Sequence, residues 1–508
     1  MQKVTLLSLS NLLITNDLYF INHARKFLLF FTILAILGYV PAYAQYIVHV
    51  AGNDSTVYGG SIGDGGPALN ATMHTRGICA DAAGNLYVSD GAYRVRKIAA
   101  STGIITSIAG GAIGTPASRL NNIPATDACL YTASGLCIDH SGNLLIADGL
   151  NRIRKVDLTT GIITSVAGCD TCTTIAFSGD GGPATAAVLN QPSDVAVDTA
   201  GDVYVVDQYN SVVRKVTMST GIIQTVAGNA ATPGYGGDGG AATAAMLDIP
   251  SGIYIDSRNN LIISDAFNNA IRKVDAATGI IHTVAGGISP GWGAGGFSGD
   301  GGPATAANLS TPVCTIMDPS GNLYISDAMN NRIRKVNAVT GIITTYAGNG
   351  TSSPTPTVHT IGNGGPATAA ELENYGICFD ACGDLLVAGY KWVRAITATP
   401  SLPVSGTLCG YSISYDVDPS LSVHESTGNN GNIRIYPNPN NGTFSVMING
   451  ATNEPVQIIV TDILGQQIKE ITTTTNKEVN VMLDAPKGIY LITSTTTYGR
   501  QTKRVLIQ

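Results

Sequence analysis

The chain has 508 residues, of which 44% are hydrophobic and 12% are charged, so it can form packed cores in two or three domains. Its formal net charge of -7 excludes the basic surface that sequence-independent nucleic-acid binding requires, and we expect no nucleic-acid partner. The 60 glycines favour short strands joined by tight turns over helices, which predicts an all-β fold.

Residues 1–44 are predicted to be a leader and signal peptide. Residues 27–40 form the only long apolar run, with Arg25 and Lys26 before it and Ala-Tyr-Ala at 42–44 after it. A basic flank, a short apolar core and small residues before the cleavage point are what signal peptidase requires. Cleavage before Gln45 follows. The run is short for a bilayer, so we expect no transmembrane anchor in the mature chain.

A repeat of about 60 residues fills the middle of the chain. Each copy contains a string such as GNLYVSDGAYRVRKI or GNLYISDAMNNRIRKV, and four short β-rich runs separated by turn residues. Four antiparallel strands repeated radially are a propeller blade, and six copies predict six blades. One arginine per copy sets the register: Arg96, Arg154, Arg214, Arg272, Arg334 and Arg394.

The two ends of the repeat region are predicted to pair. The outer-strand motif TGIITSIAGG at 102–111 has a counterpart after each of the first five copies, whereas the sixth copy runs into a Pro-rich stretch from Thr399. The segment Tyr46–Asn53 matches an outer strand and has no blade of its own. Pairing it with the sixth copy closes a six-bladed propeller over residues 45–412 and leaves no open sheet edge.

These recurring strings resemble the NHL family, in particular bacterial members with a long GDGGPATAA connection, over roughly residues 46–400. The resemblance implies a β-propeller and a general habit of binding proteins or small ligands. It implies no particular activity, because this fold carries binding modules, scaffolds and lyases alike.

Two aspartates recur in the copies, and repetition favours a structural role for both. Those of the first turn and those that end the second strand are each expected either to accept hydrogen bonds within a turn or to pair with the third-strand arginine, rather than to bind a ligand. The first set is Asp81, Asp139, Asp198, Asp256, Asp318 and Asp380, and the second is Asp90, Asp148, Asp207, Asp265 and Asp327.

The connection GDGGPATAA, intact at 179–187 and 299–307, is predicted to be a loop that opens one helical turn with Pro at its first position. A phosphate-binding loop is disfavoured because no Lys-Ser/Thr pair completes the motif. Calcium is the one cofactor alternative, although each loop offers a single carboxylate to an ion that takes six to eight oxygens. The weak calcium candidates are Asp64, Asp180, Asp238 and Asp300.

The innermost strands are predicted at 78, 136, 195, 253, 315 and 377 onward, and they contain no His, Asp, Glu or Asn. A metal or catalytic cluster at mid-channel is therefore not expected, and we assign no catalytic residue. The best ligand contacts are non-repeated residues at the strand entrances together with an aromatic residue in an irregular insert. They are Arg76, Gln191, Asp194, Asn374, Tyr375 and Trp292.

Nine cysteines fit an oxidising compartment, and their odd number leaves at least one thiol unpaired or intermolecular. Cys79, Cys137 and Cys378 occupy one position of the inner strand in neighbouring copies, where small buried filler is the expected role. Two disulfides remain open as predictions: Cys169 with Cys172, and Cys382 with Cys409.

After a predicted linker at 413–432, residues 433–508 alternate polar and apolar residues between turns, as an Ig-like β-sandwich does. This segment resembles the type A C-terminal sorting domain of the type IX secretion system of Bacteroidota. The resemblance implies recognition by the outer-membrane translocon, removal of the domain, and release or attachment at the cell surface. The matching residues are Tyr436, Pro437, Asn438, Pro439, Gly442, Phe444, Asp462, Gly465, Gly488, Tyr490 and Lys503.

Three classes of function are left open by the sequence. A secreted or surface binding module for a protein or glycan is favoured, since the predicted channel lacks catalytic groups. A propeller-type lyase or hydrolase would need a metal or an acid–base pair among the non-repeated loop residues. A structural component of a surface layer is the third class.

Overall fold

The computed structural model describes residues 45–53, 63–91, 93–111, 121–169, 177–287, 289–351, 362–363, 365–397, 405–408, 411–414, 433–436, 442–448, 453–462, 467–484, 488–496 and 499–507. The predicted signal peptide and residues 415–432 of the predicted linker lie outside this part of the chain. Throughout the described ranges the regular structure is β-strand and short 3-10 helix, so the all-β prediction is confirmed.

Residues 46–397 form six antiparallel sheets, one for each copy of the repeat. In each sheet the first strand of the copy is innermost, and the strands follow outward in chain order. Sheet 1 contains β2 (Thr75–Ala80), β3 (Leu86–Asp90), β4 (Arg94–Ile98) and β5 (Ile105–Gly110). Sheet 2 contains β7 (Leu136–Ile138), β8 (Leu144–Asp148), β9 (Arg152–Val156), β10 (Ile162–Ala167) and a fifth, outer strand, β6 (Ile123–Pro124).

The next sheets repeat this order. Sheet 3 contains β11 (Asp194–Val197), β12 (Val203–Asp207), β13 (Val212–Thr217) and β14 (Ile222–Ala227). Sheet 4 contains β15 (Gly252–Ile255), β16 (Leu261–Asp265), β17 (Ala270–Val274) and β18 (Ile281–Gly286). Sheet 5 contains β19 (Pro312–Met317), β20 (Leu323–Asp327), β21 (Arg332–Val336) and β22 (Ile343–Ala347).

Sheet 6 joins the two ends of the repeat region. Its inner strands are β23 (Ile377–Phe379), β24 (Leu385–Ala388) and β25 (Val393–Thr397), and its outer strand is β1 (Tyr46–Ala51). Tyr46 lies opposite Thr397, and Val48 lies opposite Ala395. The N-terminal strand therefore takes the place of the outer strand that the sixth copy lacks.

The hydrophobic core is divided among the boundaries between neighbouring sheets. Val88 of sheet 1 packs with Ala395 of sheet 6, and Tyr87 on the other face of sheet 1 packs with Ile146 of sheet 2. Equivalent clusters join sheets 2 and 3, 3 and 4, 4 and 5, and 5 and 6. The sheets thus contact one another in cyclic order, because both faces of each strand are apolar and must be buried.

Turns and short helices follow the repeated polar residues. In all six copies the first-turn aspartate accepts hydrogen bonds from the backbone N–H groups two and four residues later, as at Asp81. The connections contain 3-10 helices at Ala68–Asn70, Ala125–Asp127, Ala184–Ala186, Ala242–Ala244, Ala304–Ala306 and Ala367–Ala369. Further 3-10 turns lie at Gln208–Asn210, Ala266–Asn268 and Ala328–Asn330.

The predicted place of proline in the connection is wrong by one residue. Pro183 precedes the helix and has an extended ψ of 130°, so it is the cap and not the first helical residue. Its extended conformation lets it pair with Ile222 at the outer edge of sheet 3, and this pairing decides its position.

A buried arginine connects the parts of each copy. Arg272 has no exposed surface and lies between Asp238 of the connection, at 2.7 Å, and Asp265 at the end of the second strand, at 3.2 Å. It also donates to the backbone carbonyl of Met246. Sheets 1, 3 and 5 repeat the arrangement with Arg96, Arg214 and Arg334.

Sheets 2 and 6 depart from this pattern. In sheet 2 the second-strand Asp148 pairs with Arg152 at 3.1 Å, two residues before the repeated arginine. In sheet 6 Arg394 donates to the amide oxygen of Asn363, and Gly389 stands where the other sheets have an aspartate. In sheets 3–6 an aromatic ring lies against the repeated arginine. The pairs are Phe177 with Arg214, Tyr235 with Arg272, Phe297 with Arg334 and Trp392 with Arg394.

The C-terminal region contains separate β-sheets. Strands β26 (Ser405–Leu408) and β27 (Tyr411–Ser414) pair antiparallel, and β27 runs across the predicted boundary at residue 412. A three-stranded sheet contains β28 (Ile433–Tyr436), β29 (Thr443–Ile448) and β32 (Val479–Met482). A four-stranded sheet contains β30 (Pro455–Asp462), β31 (Gln467–Thr474), β33 (Gly488–Thr496) and β34 (Gly499–Ile507).

These two C-terminal sheets share one hydrophobic core. Phe444 and Val446 of the first sheet pack with Ile458, Tyr490 and Val505 of the second. Of the predicted sorting residues, Phe444 and Tyr490 are buried in this core, and Pro437, Asn438, Pro439 and Gly465 lie outside the described residues. Within the ranges given above, no helix is long and apolar enough to cross a membrane.

We expect Arg272→Met to lower the free energy of unfolding by about 3–5 kcal/mol, because Asp265 would remain as a buried charge without its partner. Lys273→Met is the matched control: it removes the same charge from the adjacent, half-buried residue and should cost less than about 0.5 kcal/mol. Urea unfolding followed by tryptophan fluorescence measures both. Equal losses in the two variants would contradict the central place given to the buried arginine.

Candidate functional site

The sheets have two distinct ends. We call the end that carries the turns between second and third strands the upper face, and the opposite end the lower face. The inner strands also begin at the upper face. Tyr46 and Thr397 are paired at the lower face, because the turn between β24 and β25 lies at the other end of the sheet. Both ends of the repeat region therefore leave the lower face, and the upper face carries neither.

In each copy, one residue just before the inner strand occupies an equivalent position on the upper face. In sheets 1–5 one carboxylate oxygen of the repeated second-strand aspartate accepts the backbone N–H of this residue, at 2.7–3.0 Å. Sheet 6 has Glu373 at the equivalent place. We call these six the rim residues: His74, Tyr131, Asn190, Asp248, Ser310 and Glu373. All six carry hydrogen-bonding side chains that are at least partly exposed, and no two are the same.

The residue after the rim residue has a left-handed backbone in four sheets. The φ angles are 46° at Thr132, 48° at Gln191, 44° at Ile249 and 49° at Thr311. This conformation is costly for β-branched residues and persists only where the surroundings impose it. A side chain of the preceding sheet does so: the Asn269 side-chain oxygen accepts the N–H of Thr311 at 2.9 Å.

Apolar side chains stand beside the rim residues in sheets 3–5. The backbone N–H groups of Tyr209, Phe267 and Met329 donate to the carbonyl oxygens of Asn190, Asp248 and Ser310, at 3.1–3.2 Å. The side chains of Tyr209 and Met329 are 53% and 64% exposed. Each of these sheets thus presents one polar and one apolar group, side by side.

Several aromatic rings on the upper face are supported by a second ring. Trp292 is 65% exposed and packs on Phe267 with ring centres 4.4 Å apart. Asn269 holds the loop that carries Trp292 by donating to the carbonyl oxygens of Ser289 and Gly291. Two more stacks join neighbouring sheets, Tyr93 with Tyr131 at 5.5 Å and His74 with Tyr390 at 4.8 Å.

The inner strands surround a channel of about 1570 Å³ that is lined by residues from both faces. Its narrow layer contains one residue per sheet, and four of the six are glycines. A Cβ on Gly77 would lie 2.0 Å from the Ser134 carbonyl oxygen, so glycine allows the close approach of neighbouring strands. The two side chains in this layer belong to Asp194 and Cys314.

Asp194 joins three sheets at the channel wall. Its carboxylate accepts the backbone N–H groups of Val195 and Ile253, each at 2.9 Å, and one oxygen lies over Gly135. Burial raises the pKa of Asp194 to about 7, although the two backbone donors act in the opposite direction. The carboxyl group therefore titrates near neutral pH.

Four thiols line the same channel: Cys79, Cys137, Cys314 and Cys378. Burial raises the pKa of the Cys137 and Cys314 thiols to about 12 and that of the other two further. These thiols are protonated at neutral pH and are poor nucleophiles. In the part of the chain that the structure describes, no three His, Cys, Asp or Glu side chains are grouped closely enough to hold a metal ion.

Cys169 and Cys382 are each in a disulfide. Their predicted partners, Cys172 and Cys409, lie outside the described residues.

The structure separates the six predicted ligand contacts. Arg76, Asp194 and Tyr375 line the channel, whereas Gln191 and Trp292 are exposed on the upper face outside it. Asn374 is 1% exposed, and its amide donates to the Ser326 hydroxyl and the Arg332 carbonyl oxygen. Asn374 therefore joins sheets 5 and 6 and offers no accessible group, which corrects its place among the contacts.

The four calcium candidates are the aspartates that bind the buried arginines. The carboxylate of Asp300 accepts from Arg334 through one oxygen and from the backbone N–H of Thr345 through the other. Asp64, Asp180 and Asp238 repeat both contacts. A guanidinium already neutralises each carboxylate, so the geometry gives calcium no support.

The rim residues are not among the contacts predicted from the sequence. In sheets 1–5 each rim residue lies 16 or 17 residues before the second-strand aspartate, although the residue type changes from copy to copy. This spacing is the sequence feature that could have located them. Only the hydrogen bond to that aspartate shows that these different residues occupy equivalent positions.

Two family models match the chain. Residues 434–508 match the model described as a secretion system C-terminal sorting domain, and residues 171–234 match the teneurin NHL domain. Human Teneurin-1 is 29% identical over 229 residues, which are 42% of this chain and 8% of that protein. Human NHL repeat-containing protein 2 is 25% identical over 169 residues, 30% of this chain and 22% of that protein. The match thus spans less than a quarter of either relative.

A solved structure supports the fold. A protein of unknown function from Bacteroides thetaiotaomicron VPI-5482 is 17% identical, with a TM-score of 0.51 over 70% of this chain and 76% of its own. Together the matches show that the chain is an NHL-repeat β-propeller protein with a type IX secretion sorting domain. The sorting domain directs export to the cell surface or the extracellular space.

Asp194→Asn should remove part of the pH dependence of stability. The pKa of Asp194 is about 7 in the folded protein, and a carboxyl of this type titrates near 3.9 in an unfolded chain. The folded state therefore holds this proton more tightly, and the stability that the neutral group provides is lost as the pH rises from about 4 to about 7.

From about pH 4.5 to pH 8, we expect the free energy of unfolding of the wild type to fall by on the order of 3 kcal/mol more than that of Asp194→Asn. Urea titrations at the two pH values measure this difference. Asp127→Asn, which changes an exposed carboxylate, should follow the wild type. Parallel behaviour of the Asp194 variant and the wild type would contradict a raised pKa.

Proposed function

We propose that this protein is an exported binding module that holds its ligand on the upper face. The rim residues support this function most directly. The repeated aspartates fix five of six equivalent positions, yet every position carries a different polar side chain, and a purely structural ring would not need this variety. Functional residues placed on loops by a rigid scaffold are the usual arrangement in binding domains.

We infer that the six sheets are the blades of one closed six-bladed propeller with β1 as the closing strand. The cyclic contacts between sheets and the pairing of Tyr46 with Thr397 support this inference. We also infer that the two C-terminal sheets form an Ig-like β-sandwich, since they share one core. Residues 45–412 and 433–508 would then be the two domains of the mature chain.

The direction in which the chain leaves the propeller supports the choice of face. Thr397 lies at the lower face, and the chain continues from there to the sorting domain. Handling by the secretion translocon, or attachment at the cell surface, would therefore engage the lower side of the propeller. The upper face, with its rim residues and exposed aromatic rings, stays accessible to a ligand from the outside.

A hydrolase or lyase is the second candidate. Asp194 is the observation that favours it, because a carboxyl with a pKa of about 7 suits proton transfer near neutral pH. Both its oxygens already accept backbone N–H groups, and the neighbouring thiols are protonated, so neither the Asp194 carboxyl nor the thiols beside it are poised for catalysis. Binding without turnover is therefore favoured.

We expect Tyr209→Ala and Trp292→Ala each to weaken ligand binding about tenfold, as truncation of a central aromatic contact does. The measurement is retention of the full mature chain on an array of purified extracellular proteins, peptides and polysaccharides, with mass spectrometry of the captured ligand before and after contact. Val339→Ala is the matched control, since Val339 is 93% exposed and lies in a turn at the lower face.

Binding that is lost in Val339→Ala and kept in the two upper-face variants would contradict the proposed face. A chemically altered ligand would contradict a pure binding function and favour the enzyme.

A further inference from the structure

Sheets 3, 4 and 5 form a continuous arc of the upper face with a distinct chemical character. In each of them a polar rim residue and an apolar side chain are joined by a backbone hydrogen bond. The pairs are Asn190 with Tyr209, Asp248 with Phe267, and Ser310 with Met329. We call this set, together with Trp292, the aromatic arc. Sheets 1 and 2 have Gly91 and Gly149 at the place of the apolar partner.

Three apolar side chains of the aromatic arc are exposed on one face. Tyr209, Met329 and Trp292 each expose more than half of their surface, and apolar groups gathered on one face, unlike single exposed ones, mark interaction sites. Trp292 is fixed by its contact with Phe267 and by the hydrogen bond from the Gly291 N–H to the Phe267 carbonyl. A ligand would therefore meet a Trp292 ring that is already ordered, which lowers the entropy cost of binding.

The charge of the aromatic arc selects against anionic ligands. Asp248 is the one charged rim residue in it, beside the neutral Asn190 and Ser310. Arg332, which begins the third strand of sheet 5 at the upper face, is stacked under Phe297 and donates to the carbonyl oxygens of Asn330 and Asn349. No lysine or arginine of the described arc is thus presented as a partner for a sulfate or carboxylate, whereas Asp248 would repel one.

An extended peptide is also a poor fit to these sheets. Peptides that add a strand need a free sheet edge. The outer edges of sheets 3, 4 and 5 are already bonded to the connections, where Gly181, Gly239 and Gly301 donate to the carbonyl oxygens of Ile223, Ile281 and Ile343. Recognition must therefore use side chains on the upper face rather than backbone pairing.

We propose that the aromatic arc is a site for a neutral polysaccharide chain; this rests on the proposed binding function and names its ligand class. The C–H faces of the sugar rings stack on Tyr209 and Trp292, because aromatic faces attract weakly positive C–H groups. Beside each contact, Asn190, Asp248 and Ser310 exchange hydrogen bonds with the hydroxyl groups of the same sugars. The alternation of ring and polar group along the arc matches the two kinds of surface that a sugar offers.

The test is affinity electrophoresis of the full mature chain through gels that contain one polysaccharide each. The neutral probes are galactomannan, xyloglucan, laminarin and starch, and the anionic probes are alginate and heparin. We expect retardation by at least one neutral probe and by neither anionic probe. Trp292→Ala and Tyr209→Ala should each weaken retardation at least fivefold, Asp248→Asn should weaken it twofold to tenfold, and Val339→Ala should leave it unchanged.

Thermal unfolding of each variant shows that the fold is kept, and Met329→Leu provides a conservative change within the same arc. Absence of retardation in all neutral gels would overturn the polysaccharide proposal, as would retardation that Trp292→Ala and Tyr209→Ala do not alter. Capture of a purified protein that is lost in Trp292→Ala would overturn the polysaccharide and leave the binding function standing. Release of shorter sugars from a probe would overturn the binding function itself.

Discussion

The buried guanidinium between two carboxylates is the interaction on which the rest of the propeller depends. Arg272 has no contact with solvent and binds Asp238 of the connection and Asp265 of the second strand. Desolvating the guanidinium and the Asp265 carboxylate is costly, and a buried ion pair gains little over an apolar pair of the same size. Its value here is positional, because the contacts tie the connection to the second and third strands inside the sheet. The other carboxylate oxygen of Asp265 accepts the backbone N–H of rim residue Asp248.

These contacts explain why the repeated residues and the non-repeated residues have different roles in the structure. The arginines and the first-turn aspartates recur in all six sheets, and glycines occupy four of the six positions of the narrow channel layer; these residues form the frame. In sheets 1–5 the frame holds the rim residues through backbone groups, a contact that does not depend on the side chain, so the residue type can differ. The residue type therefore varies at positions where the backbone is most tightly constrained. The left-handed backbone of Ile249, the residue after rim residue Asp248, shows this constraint.

Much of the fold followed from the sequence for the same reason. The spacing of the arginines located the sheets. The missing outer strand of the sixth copy predicted that the segment Tyr46–Asn53 pairs with this copy, and the structure gives the register, with Tyr46 opposite Thr397. The first-turn aspartates accept the hydrogen bonds that their recurrence indicated. A pattern that repeats in phase can be interpreted because each copy confirms the others.

The candidate site was harder to predict, since a residue that occurs only once has no equivalent in the other copies to support its interpretation. Asn374 was selected as a strand-entrance residue like Tyr375, but it is buried between sheets 5 and 6, and sequence position alone cannot distinguish the two. Cys314 escaped notice because an irregular pairing between Pro312 and Cys314 sets its place in the narrow layer. The rim residues have no common letter at all, and their equivalence appears only in hydrogen bonds.

The channel and the upper face offer different kinds of chemistry, and the contrast clarifies where a ligand would bind. In the narrow layer glycines bring the backbones together, Asp194 is already bonded to two N–H groups, and the thiols are protonated. These groups contact the neighbouring sheets rather than a ligand in the channel. On the upper face the opposite holds: rings such as Trp292 are supported from below and exposed above. Both ends of the propeller chain leave the lower face, so the proposed binding surface lies on the side of the propeller opposite to the chain ends.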